Sequence, residues 1–176
     1  KCNPKSSTGR LDVFCRTVLD FCDEYEKIPL NYHGEIFLEI TSRSFDIEFV
    51  KGDSLNQMRL IFQEHNYLND ESLINFHNID PIIFDQFGNK NIAEISSGLK
   101  ISVDLSNKNL ISAYLAKDKT PILKFSSFRN HKTNEFWDLI DTKKSSLIIQ
   151  PGKFYILKSK EIGLLTFIGS LIIFFD

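Results

Sequence analysis

Alternating apolar and polar positions predict that the first part of the chain is built from β-strands. Residues 35–40 carry isoleucine or leucine at every second position, and residues 45–49 carry phenylalanine or isoleucine in the same way. A period of two is typical of a half-buried strand. The sequence Lys51-Gly52-Asp53 then predicts a turn, and residues 55–62 predict a third strand.

The rest of the chain predicts further strands and one short helix. Residues 101–105 alternate between apolar and polar side chains, and residues 147–157 predict a hairpin around Pro151-Gly152. Residues 69–72 (Asn-Asp-Glu-Ser) precede apolar residues at helical spacing, which predicts a short capped helix. Residues 11–23 fit either a helix or a strand, because their periodicity does not decide between the two.

The run from Ile162 to Phe175 is strongly apolar and almost uncharged. It falls short of the roughly 20 residues that a membrane-spanning helix needs. We expect a buried pair of strands around Gly169-Ser170, and the alternatives are a lipid-surface segment or an abnormal, truncated end.

The composition indicates a globular protein without a large basic surface. Hydrophobic residues make up 42% and charged residues 25%, and the net charge is −2. These values are not those of a disordered chain, and they give no field that would attract nucleic acid. We therefore expect neither a nucleic-acid nor a membrane partner. The three cysteines (Cys2, Cys15 and Cys22) are an odd and sparse set, so we expect a reduced, cytoplasmic compartment.

The stretch from Asn3 to Leu11 is the first candidate binding motif. It reads Asn-Pro-Lys-Ser-Ser-Thr-Gly-Arg-Leu and combines two cations with small hydroxyls and a glycine. Hydroxyl groups and backbone N–H groups at the start of a turn or helix suit phosphate oxygens, and Lys and Arg neutralise their charge. A plain Ser/Thr cap before a helix would look similar.

Glu39 is the candidate catalytic residue. It lies on the predicted strand at 35–40, on the face opposite Ile36, Leu38 and Ile40. A general base in a cleft would need its affinity for protons raised by burial, because a free glutamate titrates near a pH of about 4.3. An outward, solvated carboxylate is the alternative.

Gln57 interrupts the apolar strand predicted at 55–62. An amide that faces a ligand would do so, and so would the more common edge-strand glutamine. The local pattern leaves both open.

Taken together, these motifs resemble the dCTP deaminase family of the dUTPase-like superfamily. The order is Lys-Ser-Ser-x-x-Arg, then Tyr-x-Gly, then a strand carrying Glu, then Gly-Asp-x-x-x-Gln. Residues 3–14 and 55–60 look like the long, tandem-domain bacterial branch almost residue for residue. A looser similarity continues through residues 103–105, 136–137 and 154–157.

The resemblance implies a role for each matching position. Glu39 would be the proton shuttle, Ser6 would position the water, and Arg10 would supply electrostatic support. The remaining positions would bind the nucleotide: Lys5 and Ser7 toward the phosphates, Phe37 and Leu38 through their backbone at the pyrimidine, Gln57 at the nucleotide, and Glu26 where the family has an aspartate for the sugar hydroxyl.

The fold that this resemblance implies is mainly β, with dUTPase-like, distorted jelly-roll or β-barrel units. We expect residues 1–68 to be the C-terminal part of a first unit and residues 69–80 to be a helical linker. Residues 81–176 would be the N-terminal part of a second unit. Because the resemblance begins within one unit and stops within the next, we expect the chain to be a fragment.

The expected activity is zinc-independent deamination of dCTP to dUTP and ammonia, in pyrimidine deoxynucleotide synthesis. Mg²⁺ would accompany the triphosphate. No zinc is expected, since the chain lacks the His-x-Glu and Pro-Cys-x-x-Cys motifs of zinc deaminases. The partners would be dCTP and dUTP, with a homo-oligomer, trimer-like in the superfamily, also expected. The alternatives are a dUTP pyrophosphatase and an inactive, truncated nucleotide-binding remnant.

Overall fold

A computed structural model describes residues 1–61, 68–85, 87–90, 93–105, 111, 113–127, 130–141 and 146–163 of the chain. The strand pair predicted around Gly169-Ser170 lies outside these residues. The described part is mainly β, as the alternation predicts. Its elements are β1 (Cys2–Pro4), α1 (Ser6–Gly9), β2 (Val13–Leu19), β3 (Ile36–Ser42), β4 (Ile47–Glu48), β5 (Asn56–Met58), α2 (Asp70–Ile79), β6 (Ile83–Phe84), β7 (Ala113–Ala116), β8 (Leu123–Lys124), α3 (Thr133–Phe136), β9 (Trp137–Ile140), β10 (Tyr155–Leu157) and β11 (Ile162–Gly163).

Residues 11–23, which the sequence left open between helix and strand, contain the strand β2. Its buried side chains come at every second position: Val13, Cys15, Thr17 and Leu19. β2 pairs with β3 in an antiparallel, two-stranded ribbon that starts at Val13 opposite Ser42. Cysteine and threonine at inward positions weaken the apolar alternation, which is why the sequence alone does not show it.

The strand predicted at 35–40 is present as β3, but it is not half-buried. All seven of its residues are exposed, including Ile36, Leu38 and Ile40 on the face expected to be covered. Within the described part of the chain β3 has one strand neighbour, β2, so little apolar surface is packed against it.

Contacts divide the chain into two compact units, and unit 1 comprises residues 1–64 and 106–156. A core cluster of four buried residues lies in it: Phe45, Ala116, Leu123 and Phe136. Ala116 lies on β7 and Leu123 on β8, while Phe45 precedes β4 and Phe136 ends α3. The indole of Trp137 makes edge contacts with Phe45, with ring centroids 5.2 Å apart.

Unit 2 comprises residues 65–105 and 157–176. In its described part α2 packs on Ile82 and Ile83 through the buried side chain of Leu73. The predicted capped helix is confirmed, since the side chain of Asn69 accepts a hydrogen bond from the Ser72 N–H at 2.8 Å. The two units interleave along the sequence, whereas the expected segments 1–68 and 81–176 are consecutive; those segments stay a prediction about domains.

Three predicted strand segments differ from the structure in extent. The strand predicted at 55–62 is ordered as β5 over Asn56–Met58 only, and its end at Phe62 lies outside the described residues. Residues 101–105 make one isolated bridge, from Val103 to Ser159. In 147–157 the turn at Pro151-Gly152 forms, but the strand after it, β10, pairs with β7 and not with residues 147–150.

Candidate active site

The Lys-Ser-Ser-Thr-Gly-Arg motif folds as a single helical turn, α1, that is anchored by Thr8. The Thr8 side chain is fully buried, and its hydroxyl lies 2.7 Å from the carbonyl oxygen of Lys5 and 2.9 Å from that of Leu55. The N–H of Lys5 also donates to the Leu55 carbonyl, at 3.0 Å. This anchoring leaves the side chains of Ser6 and Arg10 exposed, and that of Ser7 with them.

Gln57 lies beside this motif because β1 and β5 pair. Asn3 is opposite Gln57 and Pro4 is opposite Asn56 in the antiparallel register. We call residues 5–10 the serine turn. Since β1 leads directly into it, the pairing places Gln57 on the neighbouring strand, opposite a residue two positions before Lys5. Gln57 is exposed, so it can reach a ligand.

Glu26 is held against β2 by two hydrogen bonds to a single residue. Its N–H donates to the carbonyl of Thr17 at 3.3 Å, and its Oε1 accepts from the N–H of Thr17 at 2.9 Å. The carbonyl of Glu26 accepts from the N–H of Cys2 at 2.7 Å. The other carboxylate oxygen, Oε2, is buried and has no hydrogen-bond partner among the described residues.

The carboxylate of Glu26 also affects a neighbouring thiol. Burial raises the pKa of Cys15, and the negative charge of Glu26 raises it further, while a hydrogen bond with Asn56 opposes the shift. Asn56 also donates to the hydroxyl of Thr17 at 3.0 Å. Glu26 therefore lies on the buried side of β2, among polar groups that fix the strand.

The Tyr-x-Gly segment sets where β3 begins. The hydroxyl of Tyr32 donates to the carbonyl of Glu35 at 2.6 Å, one residue before the strand starts at Ile36. The Tyr32 ring lies against Gly34, where a β-carbon would come within 2.7 Å of the phenol oxygen. A larger residue at position 34 would make the Tyr32 ring shift from this position.

Glu39 lies directly opposite Arg16 in the β2–β3 ribbon. Opposite residues of an antiparallel pair project to the same face, so Glu39 shares its face with Arg16 and not with the buried Cys15 and Thr17. By the same register Phe37 is on the face of Glu39. The backbone places these groups in one row along the ribbon.

The structure thus brings the predicted site residues together in two groups. One group is the serine turn with Gln57 beside it, and the other is Glu39 with Phe37 on β3. Arg16, opposite Glu39, lies three residues from Val13 at the start of β2, which is about 10 Å of strand. The Glu39 side chain is exposed, whereas the sequence hypothesis has a base buried in a cleft.

No three side chains of the types His, Cys, Asp or Glu converge on a possible metal position within the described ranges. Among the same residues, no helix is both apolar enough and long enough to cross a bilayer.

Comparison with known proteins assigns this arrangement to a family. A sequence profile of the N-terminal domain of 2'-deoxycytidine 5'-triphosphate deaminase matches residues 1–64, and the profile of the C-terminal domain matches residues 69–166. The chain belongs to the dCTP deaminase family. The comparison with curated protein sequences found no match.

A solved structure of the same family shares the fold. The 2'-deoxycytidine 5'-triphosphate deaminase from Agrobacterium tumefaciens superposes with a TM-score of 0.77 at 32% sequence identity, over 92% of this chain and 48% of that chain. The predicted mainly β, dUTPase-like fold is therefore confirmed. The chain spans about half the length of this dCTP deaminase.

Three residues beside the predicted site residues are not among the sequence predictions. Thr8 was overlooked beside Ser6 and Ser7, although it is the hydroxyl of the motif that is buried. Arg16 was missed because its strand was not assigned, and with the strand known its place opposite Glu39 follows from counting. Tyr25, which contacts Arg16, has no sequence signal that we recognise.

Proposed function

We propose that this chain deaminates dCTP to dUTP and ammonia without zinc. The observation that carries this proposal is the anchored serine turn. Thr8 ties the backbone to Leu55, and the hydroxyls of Ser6 and Ser7 and the guanidinium of Arg10 remain exposed. Such an array suits a triphosphate and a reacting base better than it suits a structural cap.

Deamination at C4 of cytosine adds water to the ring and then expels ammonia. One carboxyl group can take the proton from water and later give it to the leaving nitrogen. We assign this shuttle to Glu39, with Ser6 positioning the water and Arg10 stabilising the charge that develops.

The remaining predicted residues would bind the rest of the nucleotide. Lys5 and Ser7 would face the phosphates, which carry their own Mg²⁺, and Gln57 on β5 would contact the nucleotide. The pyrimidine would lie along the exposed backbone of Phe37 and Leu38. A reduced, cytoplasmic compartment suits the three cysteines, which are all free.

Glu26 is proposed to accept a hydrogen bond from the sugar hydroxyl. Its Oε1 is engaged by the Thr17 N–H, but Oε2 is a buried acceptor that no residue of the described ranges reaches. A buried acceptor of this kind is costly unless a donor reaches it. Titration with dCTP and with 2',3'-dideoxycytidine triphosphate, which lacks the hydroxyl, tests this: Glu26→Ala should weaken binding of dCTP only. Equal losses for both nucleotides would assign Glu26 to structure alone.

Glu39 and the serine turn are separate groups within one chain. Within one chain, Glu39 is separated from the start of β2 by about 10 Å of strand, and both faces of β3 are exposed. We propose that a homo-oligomer, trimer-like as in the superfamily, places Glu39 of one copy beside the serine turn of another. Sedimentation velocity would test this, and a chain that is monomeric while active would contradict it.

Two assays on the same preparation separate the candidate functions. Ammonia release from dCTP identifies a deaminase, and pyrophosphate release from dUTP identifies a pyrophosphatase. Binding of dCTP without either product identifies a nucleotide-binding remnant. The matched variants are Glu39→Gln, expected to abolish ammonia release while dCTP still binds, and Glu35→Gln, an exposed carboxylate outside β3 that should change nothing. Full activity in Glu39→Gln would remove the proposed shuttle.

A further inference from the structure

The arginine opposite Glu39 lies against an aromatic ring. The guanidinium carbon of Arg16 lies 5.0 Å from the centre of the Tyr25 ring, within the range of a cation–π contact. Arg16 makes no ion pair with Glu39, although the two residues are opposite each other in the ribbon. The cation opposite the proposed catalytic carboxylate therefore contacts an aromatic ring and makes no ion pair with Glu39.

The backbone geometry defines how close Arg16 and Glu39 are. The N–H of Thr17 donates to the side chain of Glu26, so it cannot donate to β3. Thr17 and Leu38 are thus a non-hydrogen-bonded pair, and the next pair along, Arg16 and Glu39, is of the hydrogen-bonded type. Their Cα atoms are then about 5.5 Å apart, and the long arginine side chain easily spans that distance.

Tyr25 keeps its place because the residue after it is fixed. Glu26 has a left-handed backbone, with φ of 61°, and is bound to Thr17 through both its N–H and its carboxylate. Tyr25 immediately precedes Glu26, and Arg16 immediately precedes Thr17. The two hydrogen bonds between Glu26 and Thr17 therefore keep the Tyr25 ring beside the Arg16 guanidinium.

We propose that Arg16 is a positioning residue for Glu39, and that its guanidinium moves between the ring of Tyr25 and the carboxylate of Glu39. This inference rests on the proposed deamination. An exposed cation–π contact and a cross-strand ion pair are of similar strength, so neither position traps the side chain. When the guanidinium lies on the Tyr25 ring, the Glu39 carboxylate is free to take a proton. When it lies on the carboxylate, it orients Glu39 toward the pyrimidine.

The closing experiment measures kcat and KM for ammonia release from dCTP by the full chain. Arg16→Gln should lower kcat about ten- to a hundredfold with KM little changed, the order of loss that follows when a reacting group is misplaced by about 1 Å. Arg16→Lys, which keeps the charge, should restore part of the rate. Tyr25→Phe keeps the ring and should behave as wild type.

Tyr25→Leu frees the guanidinium and should lower kcat. The double variant Arg16→Gln/Tyr25→Leu should have the same kcat as Arg16→Gln alone. The matched control is Arg43→Gln, because Arg43 makes the same kind of contact, 5.7 Å from the Phe14 ring, but lies four residues beyond Glu39, where its N–H bonds to the carbonyl of Asp12. It should retain full kcat.

The rates and stabilities of these variants test the role of Arg16 separately from the proposed deamination. Wild-type kcat in Arg16→Gln, or additive losses in the double variant, overturns the inference and leaves the proposed deamination standing. A fall in thermal midpoint that accounts for the loss, with no rescue by lysine, also overturns it, since that is what a purely structural residue would give. A wild-type chain that releases no ammonia overturns the proposed function, and the role of Arg16 with it.

Discussion

Glu26 makes hydrogen bonds to both backbone groups of Thr17, in the place where a neighbouring strand would otherwise pair with them. The N–H and the carbonyl of Thr17 face away from β3, and Glu26 satisfies both, one through its carboxylate and the other through its N–H. The free edge of β2 is thereby closed at its centre. A residue proposed for the sugar thus also has a structural task.

Glu26→Ala should destabilise unit 1 by about 1–3 kcal/mol, because it leaves the buried Thr17 N–H without its acceptor. Trp137, the only tryptophan, lies in the same unit and reports its unfolding in urea through fluorescence. Glu24→Ala removes a carboxylate whose exposed ion pair with Lys27 should matter little. Equal urea midpoints for the two variants would mean that the hydrogen bonds of Glu26 do not stabilise unit 1.

Thr8→Val should be destabilising and Thr8→Ser nearly neutral. Valine has the same shape but leaves the carbonyls of Lys5 and Leu55 without the hydroxyl, at a cost of about 1–3 kcal/mol. Serine keeps the hydroxyl and loses a methyl group. The control is Thr41→Val, the same change at an exposed position of β3, and both can be measured by urea denaturation. A Thr8→Val variant as stable as the control would refute the anchoring role.

Much of the local structure could be predicted from the sequence because its causes are local. Asn69 caps α2 through a bond to a residue three positions away, and the turn at Gly52 forms between Val50 and Asp53. The serine turn was marked by its own residue types. Interactions of this range depend on neighbours that the sequence displays.

Pairings between distant residues could not be predicted in the same way. β10 follows the predicted turn at Pro151-Gly152 but pairs with β7, which lies far away in sequence. The exposure of Ile36 and Ile40 depends on what covers β3, and no pattern within the strand encodes that. The register of Arg16 with Glu39 became visible only once β2 was known to be a strand.

Phe136→Ala should cause the largest loss of stability among these variants. The Phe136 ring is almost fully buried and stands edge-on to Phe45, with centroids 6.0 Å apart. Truncating it leaves a cavity and should cost about 3–5 kcal/mol. Phe21→Ala, at a fully exposed phenylalanine, should cost less than about 0.5 kcal/mol. Urea unfolding followed at Trp137 measures both, and a loss below about 1 kcal/mol for Phe136→Ala would show that the core collapses around the gap.

Unit 2 should loosen in acid through Glu161. Burial is the largest single effect on the pKa of this carboxyl and acts to raise it. The hydroxyl and the N–H of Ser102 donate to the carboxylate, and these hydrogen bonds with other smaller effects together bring the pKa below its ordinary value of 4.5. A depressed folded pKa stabilises above 4.5 and loses that contribution as the pH falls through the lowered value. The Lys160 amide bonds to the Ser102 carbonyl, and its protection against hydrogen exchange, relative to the intrinsic rate at each pH, should therefore fall in that window. In Glu161→Gln this loss of protection should vanish, while the exposed control Glu71→Gln should keep it. The same pH profile in all three proteins would exclude Glu161 as its source.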